Sequence, residues 1–191
     1  MQEFCQEQRK LVSGKYFSLL NETIATVTDG SGEKVHHNLS GDITSKEVYV
    51  NQDIAYTEEY HPNGTPKAII SYKNGLKHGE EKGFAMSGEP LYIENYVDDL
   101  KDGLCTYYQN GSKYLETQYS KGLKDGIERH FIDGATLAEE TEYQAGLKHG
   151  PSVIFCEGDS RTSWYFKDAK VTKSTFDQYV ERDYMITSAQ R

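Results

Sequence analysis

The octapeptide YKNGLKHG occupies residues 72–79, and three close copies of it follow along the chain. The copies are YVDDLKDG at 96–103, YSKGLKDG at 119–126 and YQAGLKHG at 143–150, so successive copies begin 24, 23 and 24 positions apart. Weaker copies begin at Tyr49 and Phe166. A fixed period of this length is typical of repeat proteins, in which each unit packs on its neighbours.

A second turn signal lies between the copies. Glycines recur there every 23 or 24 residues, in contexts that include HPNG at 61–64, YQNG at 108–111 and FIDG at 131–134. Asn-Gly and Asp-Gly between apolar stretches are strong hairpin signals, because these residues tolerate positive φ. Two turns per period delimit two strands. The sequence therefore predicts an all-β repeat, an elongated antiparallel sheet of consecutive β-hairpins.

Aromatic residues occupy equivalent positions in the predicted strands. One follows each copy, five residues beyond its last glycine, and we expect these rings to stack in a column on one face. They are Phe84, Tyr108, Phe131 and Phe155. Because each cross-strand pair contributes only about 0.2–1 kcal/mol, stability is expected to come from many repeats in series.

The two ends of the chain differ from the array. Residues 1–35 are interpreted as an N-terminal segment with irregular strands or a cap, and 36–173 as about five to six hairpin repeats. Residues 174–191 are interpreted as a C-terminal helix and tail. Ser174 followed by Asp177 resembles a capping box, and apolar residues follow at helical spacing. These are Phe176, Tyr179, Val180 and Tyr184. The pattern predicts a short capping helix.

In its period and in the order of its tyrosines and glycines, the chain resembles the MORN repeats. Tyr92, Tyr96 and Gly103 follow that family's order, whereas Glu94 and Leu104 depart from the glycines of the regular form. The phrase is more similar to the variant MORN repeat, which is typical of bacterial proteins labelled YwqK-family antitoxins. The resemblance covers roughly two thirds of the chain. It implies a sheet used as a scaffold, with an antitoxin, immunity or adaptor role.

Composition narrows the choice of partner and compartment. The formal net charge of −9 argues against nucleic acid, because phosphate backbones are bound by clustered Lys and Arg. No run approaches the roughly 18 apolar residues of a membrane span. No signal-peptide pattern opens the sequence. We expect a cytoplasmic protein as written, and an exported or lipoprotein form, lipidated at Cys5, stays open if an upstream signal has been removed.

No catalytic or metal-binding pattern accompanies the repeat. The six histidines show no zinc-ligand spacing, and no Gly-x-Ser-x-Gly motif is present. The three scattered cysteines do not resemble a disulfide framework and are interpreted as ordinary thiols. We therefore expect no enzyme activity, no cofactor and no metal. The oligomeric state stays open.

Aromatic and acidic residues on the strands are the predicted partner-binding residues. A single-layer sheet cannot cover both of its faces, Tyr and Trp are enriched in binding hot spots, and an acidic patch attracts a basic partner. The predicted residues are Tyr92, Tyr107, Tyr114, Trp164, Tyr165, Glu94, Glu116 and Glu140. We expect a non-catalytic protein-binding scaffold. Each residue also has a plain structural interpretation, as the sheet's own small core or as solvated surface.

A lysine ladder supports an alternative function. Lys77, Lys101, Lys124 and Lys148 recur at one position of the octapeptide, which we interpret as a turn at one edge of the sheet. Such a row of cations fits a phospholipid or membrane-surface binding module. The competing interpretation is that these lysines keep the sheet soluble and prevent edge pairing.

Overall fold

A computed structural model describes residues 2–5, 10–18 and 20–188 of the 191-residue chain. The chain divides into two compact units, Met1–Leu100 and Lys101–Arg191. Within each unit the strands are antiparallel, and each pairs with the next strand along the chain. The predicted antiparallel sheet of consecutive β-hairpins is confirmed.

The regular elements that the described residues of the first unit form are all strands. They are β1 (Gln2–Cys5), β2 (Leu11–Phe17), β3 (Thr23–Thr28), β4 (Ser31–His37), β5 (Ile43–Val50), β6 (Asp53–Tyr60), β7 (Pro66–Lys73), β8 (Leu76–Phe84) and β9 (Pro90–Val97). A two-residue strand, β10 (Leu100–Lys101), spans the point in the chain where the units meet.

The second unit combines strands with the predicted helix. Its elements are β11 (Gly103–Gln109), β12 (Ser112–Ser120), β13 (Leu123–Phe131), β14 (Leu137–Gln144), β15 (Leu147–Cys156), β16 (Asp159–Phe166), β17 (Ala169–Val171) and α1 (Lys173–Ser188). The helix packs against β16.

The hairpins begin earlier in the chain than predicted. The expected boundary at residue 35 falls inside β4, and the turn Asp29-Gly30 has the same pair of positive φ angles as Asn74-Gly75. Leu11, Tyr16, Ala25, Val27 and Val35 form a buried apolar cluster there. Of the N-terminal residues, 2–5 form β1, whereas 6–9 lie outside the described part. The described residues of this region thus form paired strands, with register shifts at Phe4/Cys5 and Tyr16/Phe17, and an apolar core stabilises them.

The octapeptide contains a turn followed by a bulge. Asn74 and Gly75 have φ of 53° and 81°, which is the two-residue turn that matches the twist of paired strands. The last glycine of the copy does not lie in the turn: Gly79, with φ of 97°, lies within β8, where the register shifts against β7. A glycine with positive φ is typical of such a bulge. The repeated lysine therefore lies on a strand.

Several of the two-residue turns are hydrogen-bonded to the preceding repeat. Lys77 donates its backbone N–H to Asp99 Oδ1 at 2.7 Å, and Asp99 donates its own to the Lys77 carbonyl at 3.0 Å. Lys148 and Asp168 repeat this exchange at 2.7 and 2.9 Å. Backbone groups at the turns are thereby satisfied by the neighbouring repeat, which couples the hairpins in series.

Helix α1 begins at a different cap from the predicted one. The hydroxyl of Thr172 accepts the backbone N–H of Thr175 at 3.1 Å, so Thr172 is the N-cap. Ser174, the predicted cap, lies in the first turn. Phe176 and Tyr179 face the sheet as expected, with ring centroids 6.3 and 4.9 Å from that of Phe166.

Two of the three cysteines have described side chains. Cys105 is buried and Cys156 is exposed, and both are free thiols. The side chain of Cys5 lies outside the described part, so its predicted lipidation stays a prediction. Within residues 2–5, 10–18 and 20–188, no helix combines the length and apolar character needed to cross a bilayer.

Candidate binding faces

The two faces of each sheet differ in burial and chemistry. In the second unit the buried face carries a polar row across successive strands, consisting of Cys105, Thr117, Glu128, Thr141 and Ser152. In the first unit the corresponding buried side chains include Ala68, Ile70, Glu81 and Glu94. Buried carboxylates require partners, and among the described side chains no buried polar atom lacks one.

In the first unit the carboxylate of Glu81 is held by two partners. Lys77 Nζ lies 2.6 Å from Glu81 Oε2, and the hydroxyl of Tyr92 donates to Glu81 Oε1 at 3.1 Å. Glu94 accepts from the hydroxyl of Tyr96 at 2.7 Å. The predicted residues Tyr92 and Glu94 thus lie on the buried face, where their polar ends make internal contacts.

Glu128 is the centre of the equivalent cluster in the second unit. Its carboxylate pairs with Lys124 and accepts the hydroxyl of Thr117 at 3.0 Å. The hydroxyl of Tyr143 and Nε2 of His130 lie at 3.4 and 3.5 Å. The arrangement is that of a satisfied buried ion pair, which is costly to break from one side.

Each lysine of the predicted ladder lies over an aromatic ring. The Nζ-to-centroid distances are 5.0 Å for Lys77 on Tyr96, 5.5 Å for Lys101 on Tyr119, 4.8 Å for Lys124 on Tyr143 and 5.3 Å for Lys148 on Tyr165. Such contacts are favourable cation–π geometry. The prediction that these lysines occupy turns is wrong, because the two-residue turn precedes them and the glycine after them forms a bulge.

Two further predicted tyrosines lie on the buried face of the second unit. Tyr107 accepts a hydrogen bond from Lys101 Nζ at 2.9 Å, and Tyr165 lies beneath Lys148. Tyr114 lies at a bulge in β12 with its ring centroid 6.5 Å from that of Tyr107. Five of the eight predicted residues therefore contribute to internal contacts.

The other three predicted residues lie on the opposite face of the second unit, here called the open face. They are Glu116, Glu140 and Trp164. Across β12, β13 and β14, Glu116 is paired with Arg129 and Arg129 with Glu140. Arg129 Nε lies 2.8 Å from Glu140 Oε2, and Lys113 Nζ lies 2.8 Å from Glu116 Oε1. The sequence brings the two glutamates to equivalent places, and the structure places an arginine between them.

The aromatic column also belongs to the open face. Tyr108 and Phe131 are half-buried, and Phe155 is 38% exposed. The sequence predicts that these rings share one face, and the most buried row, which is polar, lies on the other face. Strand alternation explains the difference, since each aromatic is adjacent in the chain to a residue of the buried face.

Burial alone would raise the pKa of Glu128, but the hydrogen bonds from Lys124 and Thr117 and the nearby Lys124 charge outweigh it. The net effect is a pKa below the ordinary value. The tyrosines shift in the opposite direction. Burial, followed by the charge of Glu81, raises the pKa of Tyr92 to about 12, and burial with Glu128 raises that of Tyr143 to about 12.

The raised pKa values of Tyr92 and Tyr143 predict that these phenols ionise only at high pH, as a late component of an alkaline titration. The neutral forms of Tyr92 and Tyr143 contribute stability that is complete below the unfolded pKa of about 10. That stability is lost as the pH rises through about 12. In an alkaline titration followed by phenolate absorbance, Tyr92→Phe and Tyr143→Phe should each reduce the late component.

The sequence did not predict the glutamates of the clusters or the aromatic contacts of the helix. Glu81 and Glu128 each lie four residues after the repeated lysine, a spacing that shows the two glutamates to be equivalent but does not predict their contact with the lysine. His149, Phe166 and Phe176 form an aromatic group with His149–Phe166 and His149–Phe176 centroid distances of 4.9 and 5.4 Å. Phe176 was predicted as helical, but its neighbours on the sheet were not.

Comparisons with known proteins show no family for this chain. No protein-family model matches it. A 94-residue segment is 26% identical to class 2 fructose-bisphosphate aldolases of Escherichia coli K12, Escherichia coli O157:H7 and Shigella flexneri, covering 43% of this chain. The chain spans about a quarter, 26%, of the length of these aldolases. Within the described residues, no group of three or more His, Cys, Asp or Glu is placed to hold a metal ion.

Proposed function

We propose that this chain is a non-catalytic protein-binding scaffold whose open face in the second unit binds a partner of basic character. The observation that carries the proposal is the mixture of apolar and acidic side chains on that face, of which Phe155 is 38% exposed and the Glu116 and Glu140 side chains are 17% and 33% exposed. Trp164 and Phe155 provide apolar area, while Glu116 and Glu140 provide negative charge. The net charge of −9 favours a basic partner over an acidic one.

The buried face is the weaker choice for a docking surface. Tyr92, Glu94, Tyr107 and Tyr165 take part in internal contacts, so a partner there would have to replace hydrogen bonds and cation–π contacts already made. On the open face a partner would instead cover apolar area and add contacts to Glu116 and Glu140, whose ion pairs with Lys113 and Arg129 are less buried than those of Glu81 and Glu128. Such contacts favour association.

No specific observation favours the phospholipid alternative. Lys77 and Lys124 pair with buried glutamates, and each has a side chain only 33% exposed. Binding to anionic head groups would require these ion pairs to break. An antitoxin, immunity or adaptor role is compatible with the proposal, and the aldolase similarity supplies no residue that argues for catalysis.

Site-specific photocrosslinking tests the proposed face. A benzoylphenylalanine placed at Thr162, which is exposed and pairs with Val153 of the open face, should crosslink one protein reproducibly in cells. The same group at Leu39, in an exposed loop of the first unit, is the control and should not give that product.

Paired charge removal then tests the chemistry of the face. Glu116→Gln with Glu140→Gln should reduce the Thr162 crosslink at least about fivefold, because complementary charge is lost. Glu22→Gln with Glu89→Gln removes the same charge from exposed positions of the first unit and should leave the yield unchanged. Equal yields in both double variants, or binding to acidic vesicles that high salt abolishes, would contradict the proposal.

A further inference from the structure

A groove of about 600 Å³ lies in the second unit between the open face and helix α1. One side is aromatic: the Trp164 and Phe176 ring centroids are 5.2 Å apart, and those of His149 and Phe176 are 5.4 Å apart. Trp164 comes from β16 and Phe176 from the first turns of α1. The helix therefore converts one end of the open face into a groove with an aromatic wall.

The other side of the groove is acidic. Glu142 extends over Gly150, since a Cβ added to that glycine would lie 2.4 Å from Glu142 Oε2. The next residue of β15, Pro151, is paired with Trp164. Glu142 and Trp164 thus lie on the two strands that flank Pro151, and the usual strand spacing puts the backbones of these two strands about 10 Å apart.

The charges around the groove favour a cation. Asp125 and Glu142 line it, and no lysine or arginine is among its lining residues. Lys173 Nζ lies 5.1 Å from the Trp164 ring centroid while pairing with Asp177 at 2.8 Å, so the indole accepts a cation and a cation from a partner would compete with this lysine for it. An acidic ligand would be repelled here, and a purely apolar ligand would desolvate carboxylates without replacing their contacts with water.

We propose that this groove binds an arginine side chain of the partner protein. The planar guanidinium stacks on Trp164, and its N–H groups donate to the Glu142 carboxylate. A planar surface that stacks and several N–H donors in a fixed geometry are the two properties that distinguish arginine from lysine. The inference rests on the proposed function and deepens it, because it gives the basic partner a specific anchor. Arginine is also among the residues that most often dominate binding energy at interfaces.

The protein provides its own probe, because Trp164 is the single tryptophan of the chain. Titration of the full-length protein with acetyl-Gly-Arg-Gly-amide should change Trp164 fluorescence with a Kd in the millimolar range, as expected for one side chain. The peptide with citrulline in place of arginine is the matched control. Citrulline keeps the shape without the charge and should bind at least about tenfold more weakly.

A variant pair separates a specific site from general charge attraction. Glu142→Gln should weaken arginine-peptide binding about fivefold. Glu89→Gln removes the same charge from an exposed position of the first unit and should leave the Kd unchanged. Circular dichroism checks that both variants fold. An unchanged fluorescence signal, equal affinity for the citrulline peptide, or equal effects of the two variants would overturn the inference.

The two proposals can fail separately. A Thr162 crosslink to one protein without arginine-peptide binding would leave the scaffold function standing and remove the groove. Arginine-peptide binding without any protein crosslinked at Thr162 would keep the groove as a cation site and remove the docking face.

Discussion

Replacement of Gly32 by alanine is expected to destabilise the first unit by roughly 3 kcal/mol, because two penalties add. The backbone φ of Gly32 is 137°, a conformation that residues with a Cβ rarely adopt. A Cβ at this position would also lie 2.1 Å from the carbonyl oxygen of Thr26. That neighbour is backbone of the paired strand β3, so it cannot move aside as a side chain would.

Gly64→Ala separates these two penalties. Gly64 also has positive φ, 81°, but no atom lies within 4 Å of the added Cβ. Its substitution should cost only about 1 kcal/mol, from backbone strain. Urea unfolding followed by circular dichroism gives the two losses, and hydrogen exchange over residues 11–37 locates the first. Equal losses in the two variants would show that the contact with Thr26 has no effect.

Gly32 also explains why the sequence did not predict the early hairpins. In the later repeats the second residue after the two-residue turn is lysine, as in Lys77, but after Asp29-Gly30 that position is Gly32. The recognisable phrase is therefore missing although the turn is present. Turn geometry depends on the two turn residues themselves. The repeat phrase also contains residues that make packing contacts, and in this region an apolar cluster takes the place of those contacts.

The middle of the array was predictable because its signals are local. Asn74-Gly75 specifies a turn through its own φ preferences, and the spacing of such turns sets the strand lengths. The Lys77–Glu81 pair is different. Four residues along a regular strand span about 13 Å, too far for an ion pair. The bulge at Gly79 brings the two residues closer together along the strand, so that Lys77 Nζ lies 2.6 Å from Glu81 Oε2. The ion pair therefore depends on a backbone irregularity that the sequence spacing does not reveal.

Sequence patterns do not predict the groove. Helical spacing predicts that Phe176 faces something apolar, but not that Trp164 and His149 are its neighbours. Those contacts join β15, β16 and α1, and they depend on where the helix begins. The cap at Thr172 instead of Ser174 sets that start and hence the side of the helix that meets the sheet.

Replacement of Lys124 by methionine is expected to destabilise the second unit by roughly 3 kcal/mol at neutral pH, because it leaves a buried carboxylate unpaired. The Glu128 side chain is only 8% exposed, and Thr117, Tyr143 and His130 are its remaining polar neighbours. Two hydroxyl donors and an imidazole nitrogen 3.5 Å away cannot replace the ammonium charge of Lys124. Unfolding in urea, followed by fluorescence of Trp164 in the same unit, measures the loss.

The pH dependence of this loss identifies its cause. In the natural protein the lowered pKa of Glu128 contributes stability that is present above the unfolded pKa of about 4.3 and is lost as the pH falls through the folded pKa. Without Lys124, burial should raise the Glu128 pKa, so the variant loses stability as the pH rises through that new value. The difference between the two proteins should therefore be largest at neutral pH and shrink in acid.

The double variant Lys124→Met with Glu128→Leu decides between charge and packing. If the unpaired carboxylate causes the loss, removal of both charges should recover most of the stability and remove the pH dependence of the difference, since apolar pairs often replace buried ion pairs without cost. If the loss comes instead from the contact of Lys124 with the Tyr143 ring, the double variant should remain as unstable as Lys124→Met at every pH. Recovery at neutral pH would mean that Lys124 neutralises the buried Glu128, which is a structural role and needs no anionic membrane.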